Sequence, residues 1–295
     1  MSVVVIGDVV TDILTVHEGP LAIGSDTIAR VRISGGGSAA NTAAWLATTG
    51  CPVVFAGVAG DDGPGDARLA ELRSDGVRTS VRRVPGAATG TVVVLTSDAE
   101  RTMFTDRGAN RLLDRSDADR ALDEGGAGHL HLSAYVLFDP DCAPAGRHAL
   151  SEARRRGLTT SLDAASAAPL SHRGGGAFLS SVPRPDILFA NLDEARVLAP
   201  GVDAPDDLAR ALLRYARAVV VKSGAGGATW ADPNGVVHAP GVAVDEVVDP
   251  TGAGDAFAAG FLSAWLSGSG PQEALRRGNE LGARAVSRLG GRPAD

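Results

Sequence analysis

The sequence predicts an α/β fold: a central, mostly parallel sheet with helices on both faces, plus a small β-sheet lid. Three observations point there. Short apolar runs alternate with helical segments along the chain. Glycines close those runs and helices. Two stretches break the rhythm and alternate apolar with polar residues.

In chain order, Val3–Ile6 is a run of β-branched residues stopping at Gly7, as a buried strand does. Ser38–Thr49 reads as a helix with Trp45 and Leu46 on one side, closed by Gly50. Val53–Val58 is strand-like, and Asp66–Ser74 is helical and ends before Gly76. His129–Leu132 reads as a strand, and the helix after it runs to Arg156 with basic residues in its last turn. Leu158–Leu162, Ile187–Ala190 and Val219–Val221 are further strands. Helices after Asn191 and after Pro205, a first-turn proline, separate them. The exceptions are Thr27–Ser34, where Ile28, Val31 and Ile33 oppose Arg30 and Arg32, and Thr89–Asp106, where TGTVVVL and RTMFT flank the turn SDAE. These predict a small, partly exposed antiparallel sheet beside the main one. The expectation is one domain over residues 1–295, with lid segments at 12–34 and 89–107 inserted in it.

Composition narrows the function. A chain of 295 residues buries a large core without staples. A net charge of −7 argues against nucleic-acid or anionic-membrane partners. Cys51 and Cys142 build no disulfide framework and carry no basic motif that would make a nucleophile. His17, His129, His131, His148, His172 and His238 show no metal-ligand spacing. No apolar run reaches the ~18 residues of a membrane helix. The opening MSVVVIGDVV lacks a basic n-region, so a soluble, cytoplasmic protein is expected. Lys222 is the sole lysine; arginine supplies every other positive charge.

The strongest chemical signal is Asp249-Pro250-Thr251-Gly252-Ala253-Gly254-Asp255 followed by AFAAGFLSAWL. The second part is helical, with Phe257, Phe261, Leu262 and Trp265 spaced to pack inward. A Gly-rich turn therefore delivers backbone N–H groups at a helix N-terminus, where the helix dipole favours anions. Taken alone, Asp255 reads either as the base for a hydroxyl attacking a phosphate or as a helix cap. Gly35-Gly36-Gly37-Ser38-Ala39-Ala40-Asn41 opens the Trp45 helix, as a close-approach loop or an ordinary turn. Asp12 follows the first strand, where open α/β sheets bind ligands, and reads as a sugar-hydroxyl ligand or a solvated carboxylate.

VVDPTGAGDAFAAGF resembles the C-terminal signature of the ribokinase-like (PfkB) carbohydrate kinases, and GGGSAANTAAWLA resembles their N-terminal one. The resemblance runs from Gly7-Asp8 to the final helix. It implies the ribokinase-like three-layer α/β/α fold and an ATP-dependent phosphotransferase. It implies Asp255 as catalytic base and Gly252, Ala253 and Gly254 as the anion hole. Asp12, Gly36, Gly37 and Asn41 correspond to substrate-hydroxyl ligands, with Ser38, Arg107, Asn110 and Ser133 beside them. Asn191-Leu-Asp-Glu194 matches the N-x-x-E element. Asn191 then lies near the phosphates, and Glu194 organises Mg²⁺ through water or is merely a helix-surface residue. Gly224 and Gly227 match the nucleotide loop, and Asn279 the adenine pocket. Lys222 either reaches the ATP phosphates or caps its strand. Asp163 reads as a structural group behind the site. Asp249 and Thr251 match a loop that often holds a monovalent cation, with its C-terminal counterpart near Arg288–Arg292, so potassium activation is an expectation.

Departures from the pattern concern the acceptor. Ser38 and Ser133 stand where sugar-specific ribokinases tend to have lysine and an acidic residue, which puts ribose itself in doubt. Aromatic residues make up 4% of the chain, which favours a sugar over a nucleoside. Phe104, Tyr135 and Phe138 are the candidate platforms for a base. Arg101, Arg107 and Arg173 could fork a substrate carboxylate. A nucleoside kinase (adenosine, cytidine or pseudouridine type) is the alternative, with a non-catalytic sugar-binding relative behind it. A lid with one apolar face predicts a homodimer with lids packed together.

Overall fold

The computed structural model describes residues 2–17, 19–97, 100–124 and 126–293. β1 (Ser2–Ile6) leads into β2 (Val10–His17), β3 (Ala29–Gly36) and α1 (Ser38–Thr48). β4 (Val53–Gly60), α2 (Gly63–Ser74) and β5 (Arg78–Val84) follow, then β6 (Gly90–Ser97), β7 (Glu100–Asp106) and a short 3₁₀ turn at Gly108–Leu112. Next come α3 (Arg115–Glu124), β8 (Ala127–Ser133), α4 (Tyr135–Phe138), α5 (Ala143–Arg155) and β9 (Thr159–Asp163). α6 (Ala167–His172) and α7 (Gly175–Ser180) precede β10 (Ile187–Asn191), α8 (Leu192–Leu198), α9 (Pro205–Leu212) and β11 (Ala218–Lys222). The order closes with β12 (Ala228–Asp232), β13 (Gly235–Ala239), α10 (Ala253–Leu266) and α11 (Pro271–Val286).

The main sheet has the strand order β13-β12-β11-β10-β9-β8-β1-β4-β5. Its neighbours pair in parallel from β11 through to β5, and β12 and β13 add an antiparallel edge. Side chains alternate between its faces. Val4, Ile6, Leu130, Leu132, Leu162 and Leu188 enter one core with helices such as α5 and α9. Val3, Val5, Phe55, Phe189 and Val220 enter the other with α1, α10 and α11. The result is the three-layer α/β/α architecture the sequence predicts. His129 and His131 lie wholly inside it, bonded to Thr159 and Ser161, so they are core histidines. Among the described residues no His, Cys, Asp and Glu group could hold a metal, and no helix is long and apolar enough to cross a membrane.

The lid departs from expectation. It is a four-stranded sheet of order β3-β2-β6-β7, and β2 pairs with β6 in parallel, so it is mixed and not antiparallel. The reason is topological: β2 follows β1 and β6 follows β5, two strands of like direction, so both enter the lid the same way. Asp12 is accordingly a strand residue, paired with Ser34, and not a loop residue.

Candidate active site

The parallel strands end at one edge with Asp8 after β1, Asp163 on β9, Asn191 on β10 and Lys222 on β11. A cleft of about 1070 Å³ opens there and runs continuously from the lid to α11. Such an edge is where open α/β sheets bind ligands.

α10 starts at the middle of this cleft. Gly252 precedes it with φ +75°, a left-handed backbone, and a Cβ there would overlap the backbone of Gly291. Gly252, Ala253, Gly254 and Asp255 all line the cleft, so the helix N-terminus faces it with a positive end. Asp255 is gripped on both oxygens: Ser38 Oγ donates to Oδ1 at 2.9 Å and Asn41 Nδ2 to Oδ2 at 3.0 Å. Both donors sit on the first turn of α1. That turn is set by Gly37, whose φ is +96°, and by Asp8, whose carboxylate accepts the N–H groups of Ser38 and Ala39. Burial pushes the Asp255 carboxyl up to about 8, and the charge of Asp163 adds to the rise. The bonds from Asn41 and Ser38 and the charge of Lys222 oppose it.

Lys222 Nζ donates to Asp163 Oδ2 at 2.7 Å, and both side chains are nearly buried. It also lies against the Gly252–Gly254 turn: a Cβ on Gly254 would sit 3.1 Å from Nζ. Asp163 is therefore a cleft residue bonded to Lys222, not a group behind the site. Asn191 and Glu194 form a reciprocal capping box on α8. Asn191 Oδ1 accepts from Glu194 N–H, and the Glu194 carboxylate accepts from Asn191 N–H and Nδ2. Glu194 is buried yet lines the cleft, and desolvation raises its carboxyl above the usual range. Asp163, Glu194 and Asp255 thus surround one lysine. The three carboxyls form no group that could hold a metal directly, so a divalent cation arriving with a nucleotide would be held through water.

Gly224, Gly227 and Asn279 line the α11 end of the cleft with Val242, Ala243, Val244 and Val247. A Cβ on Gly224 would meet only open space, whereas one on Gly227 would overlap the Ala239 carbonyl. Asn279 Nδ2 donates to the carbonyls of Ala239 and Pro240, holding that wall. Thr251 lines the cleft, while Asp249 lies behind it, accepting from Thr251 N–H and Gly290 N–H. The Asp249–Thr251 loop and the C-terminal segment are therefore joined.

At the other end, Asp12, Val92, Val94, Met103 and Thr105 of the lid face the cleft with Arg107 and Tyr135. Asp12 is buried, which raises its carboxyl to about 7 against the pull of Arg292. Gly36 does not reach the wall; its bare Cα backs the Asp12 carboxylate, which a Cβ would overlap. Ser133 is fully buried and also off the wall. Asn110 lines the cleft, but its amide is committed to Val9 and to the Arg107 carbonyl. Arg107 Nη1 donates to the Tyr135 carbonyl. Of the aromatic candidates only Tyr135 lines the cleft: Phe104 is exposed on the lid and Phe138 packs on Phe178. Arg173 is exposed and donates to the Phe138 carbonyl. The side chain of Arg101 lies outside the described residues.

The comparisons with known proteins agree with this geometry. The model of the pfkB family carbohydrate kinases matches residues 1–295. An ATP-dependent ribose-1-phosphate kinase of Halopiger xanaduensis is 35% identical over 289 residues, 95% of this chain and 90% of that one. The adenosine kinase of Sinorhizobium meliloti superposes with a TM-score of 0.88 at 25% identity, over 100% of this chain and 96% of that one. A chain described as ribokinase II from E. coli, solved with ATP and Mg²⁺, superposes with a TM-score of 0.85 at 25% identity, over 98% and 94% of the two chains. Paired signatures, cleft and full-length match together establish that the chain belongs to the pfkB family of carbohydrate kinases.

Proposed function

We propose that the chain transfers the γ-phosphoryl group of ATP to a primary hydroxyl of a pentose-type sugar or its phosphate. The observation that carries this is Asp255, held by Ser38 and Asn41 at the N-terminus of α10, midway between lid and nucleotide end. The acceptor hydroxyl attacks phosphorus in line. The new O–P bond forms as the bond to the β-phosphate oxygen breaks, and the hydroxyl proton passes to Asp255. Gly252, Ala253 and Gly254 present backbone N–H groups to the charge on the transferring group. Asp12 and Asn41 orient the acceptor, Gly37 and Ser38 border it, and Gly36, Asn110 and Ser133 support these from behind. Arg107 faces the anionic group of a sugar phosphate, in keeping with the ribose-1-phosphate kinase relative.

At the nucleotide end, Asn191 and Lys222 approach the phosphates and Gly224, Gly227 and Asn279 shape the adenine pocket. Glu194 would hold Mg²⁺ through water, and that ion would supply charge neutralisation for the phosphates. Asp249 and Thr251 would hold a monovalent cation beside the anion-hole turn, so K⁺ is expected to activate. The enzyme acts in the cytoplasm as a homodimer. Val31, Ile33 and Phe104, all more than half exposed on the lid, form the face on which the second copy docks.

The test is ADP release with Mg-ATP, with and without K⁺, on ribose 1-phosphate, ribose, fructose, 2-keto-3-deoxygluconate and adenosine. Turnover of a sugar or sugar phosphate is expected. Turnover of adenosine alone would replace this reading with a nucleoside kinase that uses Tyr135 as its base platform.

A further inference from the structure

The lid is rooted in the main layer by two buried arginines that no catalytic step uses. Arg68 on α2 donates from Nη1 to the Ser34 carbonyl at 2.9 Å and to Thr11 Oγ1 at 3.4 Å. Arg292, from the C-terminal segment, donates from Nη2 to the Gly36 carbonyl at 3.3 Å. Glu71 bridges the pair, with Oε1 2.5 Å from Arg68 and Oε2 3.0 Å from Arg292. The side chains of Arg68 and Arg292 are 7% and 9% exposed. Gly35 lies between the two held carbonyls, and a Cβ there would overlap the Arg292 guanidinium. The strand held this way is the end of β3, where the lid leaves α1.

The same strand seats the acceptor carboxylate. In the β2–β3 ladder Thr11 pairs with Gly35 and Asp12 with Ser34, and the Asp12 carboxylate lies on Gly36. The charges acting on Asp12 are Arg292 and Arg68 on one side and Asp8 and Asp249 on the other. The segment carrying Arg292 is also pinned to α1: Trp45 Nε1 donates to the Gly291 carbonyl at 2.9 Å, and Gly291 packs against the Asn41 amide. It therefore touches both the seat of Asp12 and the helix that holds Asp255.

We propose that Arg292 is a positioning residue: with Arg68 and Glu71 it latches the lid hinge at Ser34–Gly36 and so sets where Asp12 meets the acceptor. A planar fork serving Gly36, Glu71 and the Arg68 carbonyl is something lysine cannot reproduce. The latch rests on the acceptor site proposed above, so its test has one arm that needs no turnover.

Arg292→Met, Arg292→Lys and Glu71→Gln are compared with the unaltered chain. With ribose 1-phosphate as acceptor, Arg292→Met is expected to raise the acceptor KM about 10-fold to 100-fold, with the KM for ATP and kcat within about 3-fold. Arg292→Lys and Glu71→Gln should fall between. In the second arm, amide hydrogen exchange without ligand should quicken at residues 10–12 and 33–37 and stay unchanged in β6 and β7. Unchanged hinge exchange, or equal loss in both KM values and kcat, overturns the latch. If the unaltered chain turns over no sugar, the acceptor reading fails, and the exchange arm still decides the latch.

Discussion

Two opposing effects act on the Asp255 carboxyl. Burial keeps its carboxyl protonated up to about 8, while Ser38 and Asn41 donate hydrogen bonds that favour the carboxylate. Ser38→Ala removes one of those donors, so the Asp255 carboxyl rises further. The acid limb of the kcat/KM profile should then move to higher pH, and a limb that stays in place would show that another group sets it. The same burial has a stability signature. The folded carboxyl titrates near 8 and the unfolded one near 3.8, so the folded state binds the extra proton between those values. Its contribution is intact below the lower value and is lost as pH rises through the upper one. Asp255→Asn escapes that loss, so the variant should melt higher than the parent at pH 8, with a smaller gain at pH 5. The place of Asp255 on the first turn of a helix was legible, because a Gly-rich turn precedes an apolar helical run. Its grip by Ser38 was not: the two residues lie 217 positions apart.

The elements were legible to different degrees for local reasons. Val3–Ile6 and Val219–Val221 are apolar on both faces and read directly as buried strands, and Pro205 opens α9 where the sequence places it. β2 was missed because VTDILTVH lacks clean alternation, being covered on both faces over much of its length. The β12–β13 hairpin turns on Pro233-Asn234 between the paired Asp232 and Gly235, a turn composition readable in the sequence. The capping box at the start of α8 shows one motif serving two ends. Its Asn-x-x-Glu spacing caps the helix, and the cap aims a buried carboxylate at the cleft. Glu194→Gln separates the two, since glutamine also completes a capping box. Melting should stay near that of the parent, while the Mg²⁺ concentration for half-maximal rate rises about 10-fold to 100-fold. A large drop in melting temperature with unchanged Mg²⁺ dependence would make Glu194 a helix cap only.

At the scale of the whole molecule, two devices meet over one cleft: a rigid three-layer body that carries phosphate chemistry and a lid that carries Asp12. The body follows from strand and helix periodicity. The lid's pairing depends on contacts between distant strands, so its mixed topology could not be read locally. Its face away from the cleft leaves Val31 62% exposed and Ile33 64% exposed, more apolar surface than a monomer keeps in water without cost. Small-angle scattering at micromolar concentration should give a dimer, and Val31→Lys with Ile33→Lys should give a monomer; a monomeric parent would contradict the lid-to-lid contact. If Asp255 takes the acceptor proton, its loss must slow the chemical step. The direct measurement is kcat of Asp255→Asn on the sugar the parent turns over, with ATP affinity followed by calorimetry. A loss of about 10²-fold to 10⁴-fold in kcat is expected, with ATP affinity kept within a few-fold. A variant that retains most of its turnover would contradict it.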